Sequence, residues 1–416
     1  MGEAFEKLFQ ERTKRVQDAI ELKVPDRIPV MGSFTFFPAK YAGITFQEVM
    51  YDYDKLDLAA EKTILDFQPD MFQNPYGTIA VGPTFEILDY RQLRWPGHGV
   101  APHRTYQFVE DEYMKAEEYD EFLFDPSGFM LGSLFPRIYG ALEPLKMLPS
   151  IPRCYYLRMV PNIAVLGTPE VAGAFESLLR AGAAAKEAMD RANRFVAKME
   201  SLGFPCQFGA SVNAPFDYIG DFLRGTRGLM IDLYRNPDKV LEAVEKLLPI
   251  MVEAGISMAR KSGIPRVFIP LHKGAHGFMS LDQFNRFYWP TLRKLILALI
   301  DEGLTPCPLF EGDYTSRLDI IGDIPVGKAI YWFERTDIFK AKAVLGNQVC
   351  IRGNVPASLL CTGTPQAVKD YCKKLIDIVG KGGGFIMDGD IGVPDEARAE
   401  NVRAMIDFTK EYGVYK

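Results

Sequence analysis

The chain has 416 residues, is 48% hydrophobic, and carries 54 acidic against 48 basic side chains, a formal net charge of −6. That length can bury a large core, as one large domain or two ordinary ones. The charge gives no support for nucleic-acid binding or for attachment to an anionic membrane.

No stretch approaches 18 uninterrupted apolar residues, and the start has no apolar signal core. The six cysteines are scattered, with no Cys-x-x-Cys pair. A soluble cytoplasmic protein with reduced thiols is the expectation.

Residues 1–22 have apolar positions near helical spacing (Phe5, Leu8, Phe9, Val16, Ile20), which predicts an amphipathic helix. Pro25 ends it, and Ile28 to Met31 reads as a short strand. A helix is expected over 46–66. Residues 70–160, rich in Gly and Pro, read as an irregular excursion of short helices and hairpins rather than a separate domain.

From 160 onward the pattern is regular. Helices are expected over 172–201, 237–261, 281–302, 316–321, 337–344, 364–380 and 397–412. Strands are expected at 205–209, 267–271, 304–310, 328–333, 349–352 and 384–387. Strands and helices alternating at this spacing predict βα units around a parallel sheet. With about eight units and no GxGxxG fingerprint, a closed (β/α)8 TIM barrel with an N-terminal helical extension is favoured over an open sheet. The whole chain, 1–416, is read as one barrel domain: extension and first strand to 70, excursion to 160, regular units after it.

In such a barrel the functional groups lie in the loops after the strands. Those loops hold Ser33 to Phe37, Asn213 to Asp221, His272 and His276, Glu311 and Asp313, Glu334 and Asp337, Asn354, and Asp388 with Asp390. Carboxylates and histidines converging at one mouth suit a divalent metal with mixed N/O ligands or general acid–base work. Blander roles stand beside each. Glu311 and Asp313 can cap the next helix. Gly274 and Gly277 weaken a helical HxxxH site at His272 and His276. Glu334 and Arg335 can be an internal ion pair, and Asp388 to Asp390 a turn. Phe34, Phe36 and Phe37 suit a wall for an aromatic ring, or core packing.

Four segments, in order, resemble the uroporphyrinogen decarboxylase superfamily. They are Ala214-Pro-Phe-Asp-Tyr-Ile-Gly-Asp-Phe-Leu-Arg-Gly225 followed by Leu233 to Val240; Phe278 to Phe284 with Tyr288-Trp-Pro290; Gly353-Asn-Val-Pro356 through Gly363-Thr-Pro-Gln-Ala-Val368; and Gly383-Gly-Phe-Ile-Met-Asp-Gly-Asp390 with Glu400-Asn-Val-Arg-Ala-Met405. The resemblance implies a barrel fold and two chemistries. True uroporphyrinogen decarboxylases use an arginine-bearing N-terminal loop to hold a many-carboxylate tetrapyrrole. Here the matching loop, Pro29 to Lys40, has no arginine, and none occurs between Arg27 and Arg91. The family tyrosine falls at Asp221 and its histidine at Asp390.

The other branch comprises cobalamin-dependent methyltransferases, whose zinc is held by an HxCG motif and a late cysteine. Those positions fall on Leu309-Phe310-Glu311 and Asp390, so carboxylates replace the thiolates. The resemblance is closer to this branch. It implies methyl transfer from a small donor, such as an aryl methyl ether, to a corrinoid carried by a partner protein. Zn²⁺ on Glu311, Asp390 and His272 would act as Lewis acid. Glu311, Asp390 and Asp221 would be the catalytic groups, Asp221 and Glu334 would position substrate or complete the metal shell, Asn213 would contact substrate, and a homodimer is compatible with this reading. The alternatives are a metal-free carboxy-lyase in the same pocket and a non-catalytic tetrapyrrole- or corrinoid-binding protein.

Overall fold

In the computed structural model, which describes residues 2–416, eight short parallel strands follow one another around a ring. They are β1 (Met31–Gly32), β2 (Met71–Phe72), β3 (Ala210–Ser211), β4 (Arg266–Leu271), β5 (Thr305–Phe310), β6 (Ile330–Phe333), β7 (Cys350–Arg352) and β8 (Phe385–Ile386). β3 to β8 form one sheet in chain order, and β1 pairs with β2. Parallel bridges from Phe72 to Cys206 and from Val30 to Met387 join the two sheets at both edges and close the barrel. Closure removes the unpaired edges that an open sheet would present.

β5 shows why the strands read clearly from sequence: all but its first residue are buried, so it is a continuous apolar run. The outer helices cover the barrel with their apolar stripes. Pro237–Ser262 buries Val240, Val244, Leu247 and Met251, a 3.6-residue repeat.

Three expectations are corrected. The helix over 46–66 is two helices, Phe46–Tyr51 and Tyr53–Phe67, because the Asp52 carboxylate accepts from the N–H groups of Asp54 and Lys55 and starts a new helix. The strand at 205–209 begins its ladder later, at Ala210, with Cys206 making only the bridge to β2. Helix 281–302 widens into a π-turn over Phe284–Tyr288, just ahead of Pro290, whose missing N–H cannot continue the ordinary ladder.

The excursion contains short helices and a small three-stranded sheet (Leu93–Pro96, Gly99–Val100, Gln107–Phe108). It returns to the barrel through Pro169–Ser201, a helix of 33 residues and so about 50 Å long. Phe195, near its C-terminal end, packs edge-on against Phe72 of β2. Most of this helix therefore projects beyond the barrel, on the side of the strand C-termini. There the backbone N–H of Met114 donates to the Leu223 carbonyl in the loop after β3.

Candidate active site

The first turn after β4 and the first residue after β5 put His272 and Glu311 side by side. The Glu311 N–H donates to the Leu271 carbonyl, which fixes the end of β5 against the end of β4. His272 Nε2 lies 3.5 Å from Glu311 Oε1, and Nδ1 is 2.5 Å from Oδ2 of Asp221 in the loop after β3. Lys273 reaches the other Asp221 oxygen at 3.2 Å. Burial opposes a charge on His272, but hydrogen bonds to Asp221 and Glu311 and the negative charges of Asp221 and Asp217 outweigh it. The imidazolium pKa is pushed up to about 10. This pairing stabilises the fold fully below the unfolded value of about 6.5, and the contribution is lost as pH rises through about 10.

Beneath the pair, Asp217 is fully buried and accepts the N–H groups of His272 (3.2 Å) and Lys273 (2.8 Å) and the hydroxyl of Tyr288 (2.6 Å). Burial first, then the charge of Asp221, pushes the Asp217 carboxyl up to about 6. Asp217 anchors the backbone that carries both cations. Gly312 makes the turn beyond Glu311 possible: its φ is +87°, and a Cβ there would sit 2.7 Å from that of Ala275. Its N–H donates to Glu334 Oε2 at 2.5 Å, while Glu334 Oε1 meets Arg335 at 3.1 Å.

The remaining expected residues are placed differently. Asp390 lies in an adjoining cavity of about 710 Å³, with Glu334, Asn354 and Tyr371. Its two oxygens accept the N–H groups of Ala357 and Ile391, each at 2.7 Å, so it holds the start of helix Ala357–Thr362. Asp390→Ala is expected to cost about 1 kcal/mol; an unchanged urea midpoint would show that the carboxylate does not hold that helix. Phe34, Phe36 and Phe37 are all buried: Phe34 stacks on Phe37, and Phe36 on Phe46. They are core residues rather than a pocket wall. Asn213 is half-buried at the end of β3, and His276 is exposed. Asp313 caps the Thr315 N–H, and Asp337 caps helix Ile338–Leu345. Asp388 is buried below the mouth, against Arg352.

Glu311, Asp390 and His272 therefore do not assemble as a ligand set. Among the described residues, no group of three or more His, Cys, Asp or Glu side chains is arranged to hold a metal. The donors do not fit the expected three-ligand zinc centre. Lys273, Asp217 and Tyr288 were missed as site residues, although Asp217 and Tyr288 stand within the segments that carry the family resemblance.

A sequence profile of the family described as Uroporphyrinogen decarboxylase (URO-D) matches residues 196–412, just over half the chain. The chain belongs to the uroporphyrinogen decarboxylase family. Among curated members, the uroporphyrinogen decarboxylase of Chlorobium phaeobacteroides is 24% identical over 187 residues, 44% of this chain and 52% of that one. That of Pseudomonas fluorescens is 26% identical over 183 residues, 43% of this chain and 50% of that one. The match thus spans about half the length of these decarboxylases. Among solved structures, a methyltransferase from Methanosarcina mazei superposes with a TM-score of 0.63 at 14% identity, covering 96% of this chain and 98% of that one. The family barrel and the excursion above it are thus one shared fold. Among the described residues, no helix is long and apolar enough to cross a membrane.

Proposed function

We infer that this family member is a methyltransferase that passes a methyl group from a small donor, such as an aryl methyl ether, to a corrinoid carried by a partner protein. The observation that carries the reading is the fold shared, over nearly the whole chain, with a protein named as a methyltransferase. The corrinoid is the acceptor substrate, a nucleophile for the methyl group. This chain's part is to make the heteroatom a better leaving group.

When the oxygen–methyl bond breaks, its electron pair stays on oxygen, and His272 Nε2 gives that oxygen a proton. Asp221 holds Nδ1–H and keeps the ring oriented. Glu311, about one-third exposed, connects Nε2 to solvent for reprotonation. A phenol has a pKa of about 10, close to the imidazolium value of about 10, so proton transfer to the departing oxygen is roughly thermoneutral.

The curated relatives support a second reading, a carboxy-lyase in which the same His272 protonates the carbanion left by CO2. Incubation with a reduced free corrinoid and a panel of aryl methyl ethers separates the two. Methylated corrinoid and a phenol in equal amounts are expected. CO2 released from a tetrapyrrole polycarboxylate, with no methylated corrinoid, would favour the lyase.

A further inference from the structure

The cavity of about 710 Å³ beside the mouth lies among the loops that follow β6, β7 and β8. That volume is within the range of about 300–1,000 Å³ usual for small-molecule sites. It adjoins Glu311 through Glu334, which forms part of its wall. The Glu334 N–H donates to the carbonyl of Phe310, just before Glu311, and Gly312, just after it, donates to Glu334 Oε2. The cavity and Glu311 therefore stand at adjacent strand ends.

Its walls combine apolar faces with negative charge. Phe339, Tyr371, Ile338 and Ile391 supply the first, and Glu334, Asp337 and Asp390 the second. Among the described residues that line it, Arg335 is the only cation. The Arg335 side chain is 78% exposed, and its Nε is already engaged 3.1 Å from Glu334 Oε1. The main donors point into the wall: the Tyr371 hydroxyl donates to Asn354 Oδ1 at 3.2 Å, and Asn354 Nδ2 donates to the Glu334 carbonyl at 3.0 Å. Asp337 and Asp390 each accept two backbone N–H groups. An ionised carboxylate has about four acceptor positions, so both keep lone pairs free. A ligand here meets an aromatic slot rimmed by acceptors and by net negative charge.

We propose that this cavity seats the ring of the methyl donor, and that its acidic rim selects donors whose far end is uncharged or cationic and rejects those that carry a carboxylate. The identity of the ligand rests on the methyl-transfer reading; the charge preference rests on the lining itself. A carboxylate placed here would face three acids and one arginine that is already paired, and like charges set against each other are strongly unfavourable. An ammonium or a hydroxyl would instead donate to carboxylate lone pairs that backbone N–H groups hold in place. The Phe339 and Tyr371 rings offer faces for stacking and for a cation.

The test is isothermal titration calorimetry on the full chain, without corrinoid. Three ligands share one ring and one methyl ether and differ in charge: 4-methoxybenzylamine, 4-methoxybenzyl alcohol and 4-methoxybenzoate. The amine is expected to bind on the order of 100-fold more tightly than the benzoate, with the alcohol between them. Glu334→Gln/Asp390→Asn should shrink that spread to about 10-fold or less, since two of the three acids are gone. Ser358→Trp, at an exposed position on the cavity rim, should abolish binding of all three. Circular dichroism confirms the fold of both variants. Equal affinity for amine and benzoate would overturn the proposal, and so would binding that survives Ser358→Trp or a wild type that binds none of the three. Methyl transfer to a free corrinoid is assayed separately. Discrimination in binding without any transfer would overturn the methyl-transfer reading and leave the charge preference of the cavity standing.

Discussion

His272→Gln is expected to slow methyl transfer by about 10²–10⁴-fold, the usual contribution of a positioned proton donor. Glutamine keeps a polar group of similar reach beside Asp221 but carries no titratable proton. Donors with poor leaving groups should therefore suffer most, and an activated donor that departs without protonation should be nearly unaffected. Asp221→Asn should lower the same rate by a different route. It removes the negative charge that helps hold the imidazolium and leaves at most a neutral amide acceptor, so the alkaline limb of the pH–rate profile should move from about pH 10 toward the ordinary histidine value of about 6.5. Rates for aryl methyl ethers graded by leaving-group acidity check both. Equal losses across the series in both variants would mean that His272 only shapes the pocket.

Asp388→Ala is expected to destabilise the fold by about 3–5 kcal/mol. Arg352 is 1% exposed and Asp388 is fully buried, and Arg352 meets Asp388 Oδ2 through Nη2 at 2.6 Å and Nε at 2.9 Å. The guanidinium also lies 3.7 Å from the Trp332 ring centroid and donates to Gln207 at 2.8 Å. Removing the carboxylate leaves a buried cation inside the barrel with no counter-ion. The penalty is thus mainly that of an unpaired buried charge rather than the strength of the pair itself. The double replacement Arg352→Met/Asp388→Leu should accordingly recover most of the loss. Urea unfolding midpoints distinguish the cases: a single variant within about 1 kcal/mol of wild type would mean that water reaches the guanidinium.

The barrel was legible because β4 to β8 and their helices each repeat one signal, a buried apolar run and then an amphipathic helix. β2 was not legible. Met71–Phe72 is a two-residue strand inside a Gly- and Pro-rich stretch, and its place in the ring comes from bridges to chain-distant partners. The same limit applies to the site. Asp221, His272 and Glu311 end or follow successive strands, so sequence order alone put them at one mouth. Asp390 satisfies the same rule, yet one of its oxygens is taken by the helix that begins at Ala357, a helix absent from the sequence reading, and the other by the Ile391 N–H. The phenylalanines at 34, 36 and 37 have the composition of a pocket wall, and only packing against Phe46 and Phe67 shows them to be core. Arg352 carried no signal, since a lone base in the strand Cys350–Arg352 gives no sign that Asp388 faces it from just beyond β8.

Whether His272 keeps its proton between Asp221 and Glu311 is read directly, without substrate or partner, by ¹⁵N NMR of the imidazole nitrogens. The chain has four histidines, so His272→Gln assigns the signal by its disappearance. Both His272 nitrogens should remain protonated through pH 8 and 9 and titrate near pH 10, and in Asp221→Asn the transition should fall by several pH units. A His272 ring that is already neutral at pH 8 in the wild-type protein would contradict the account.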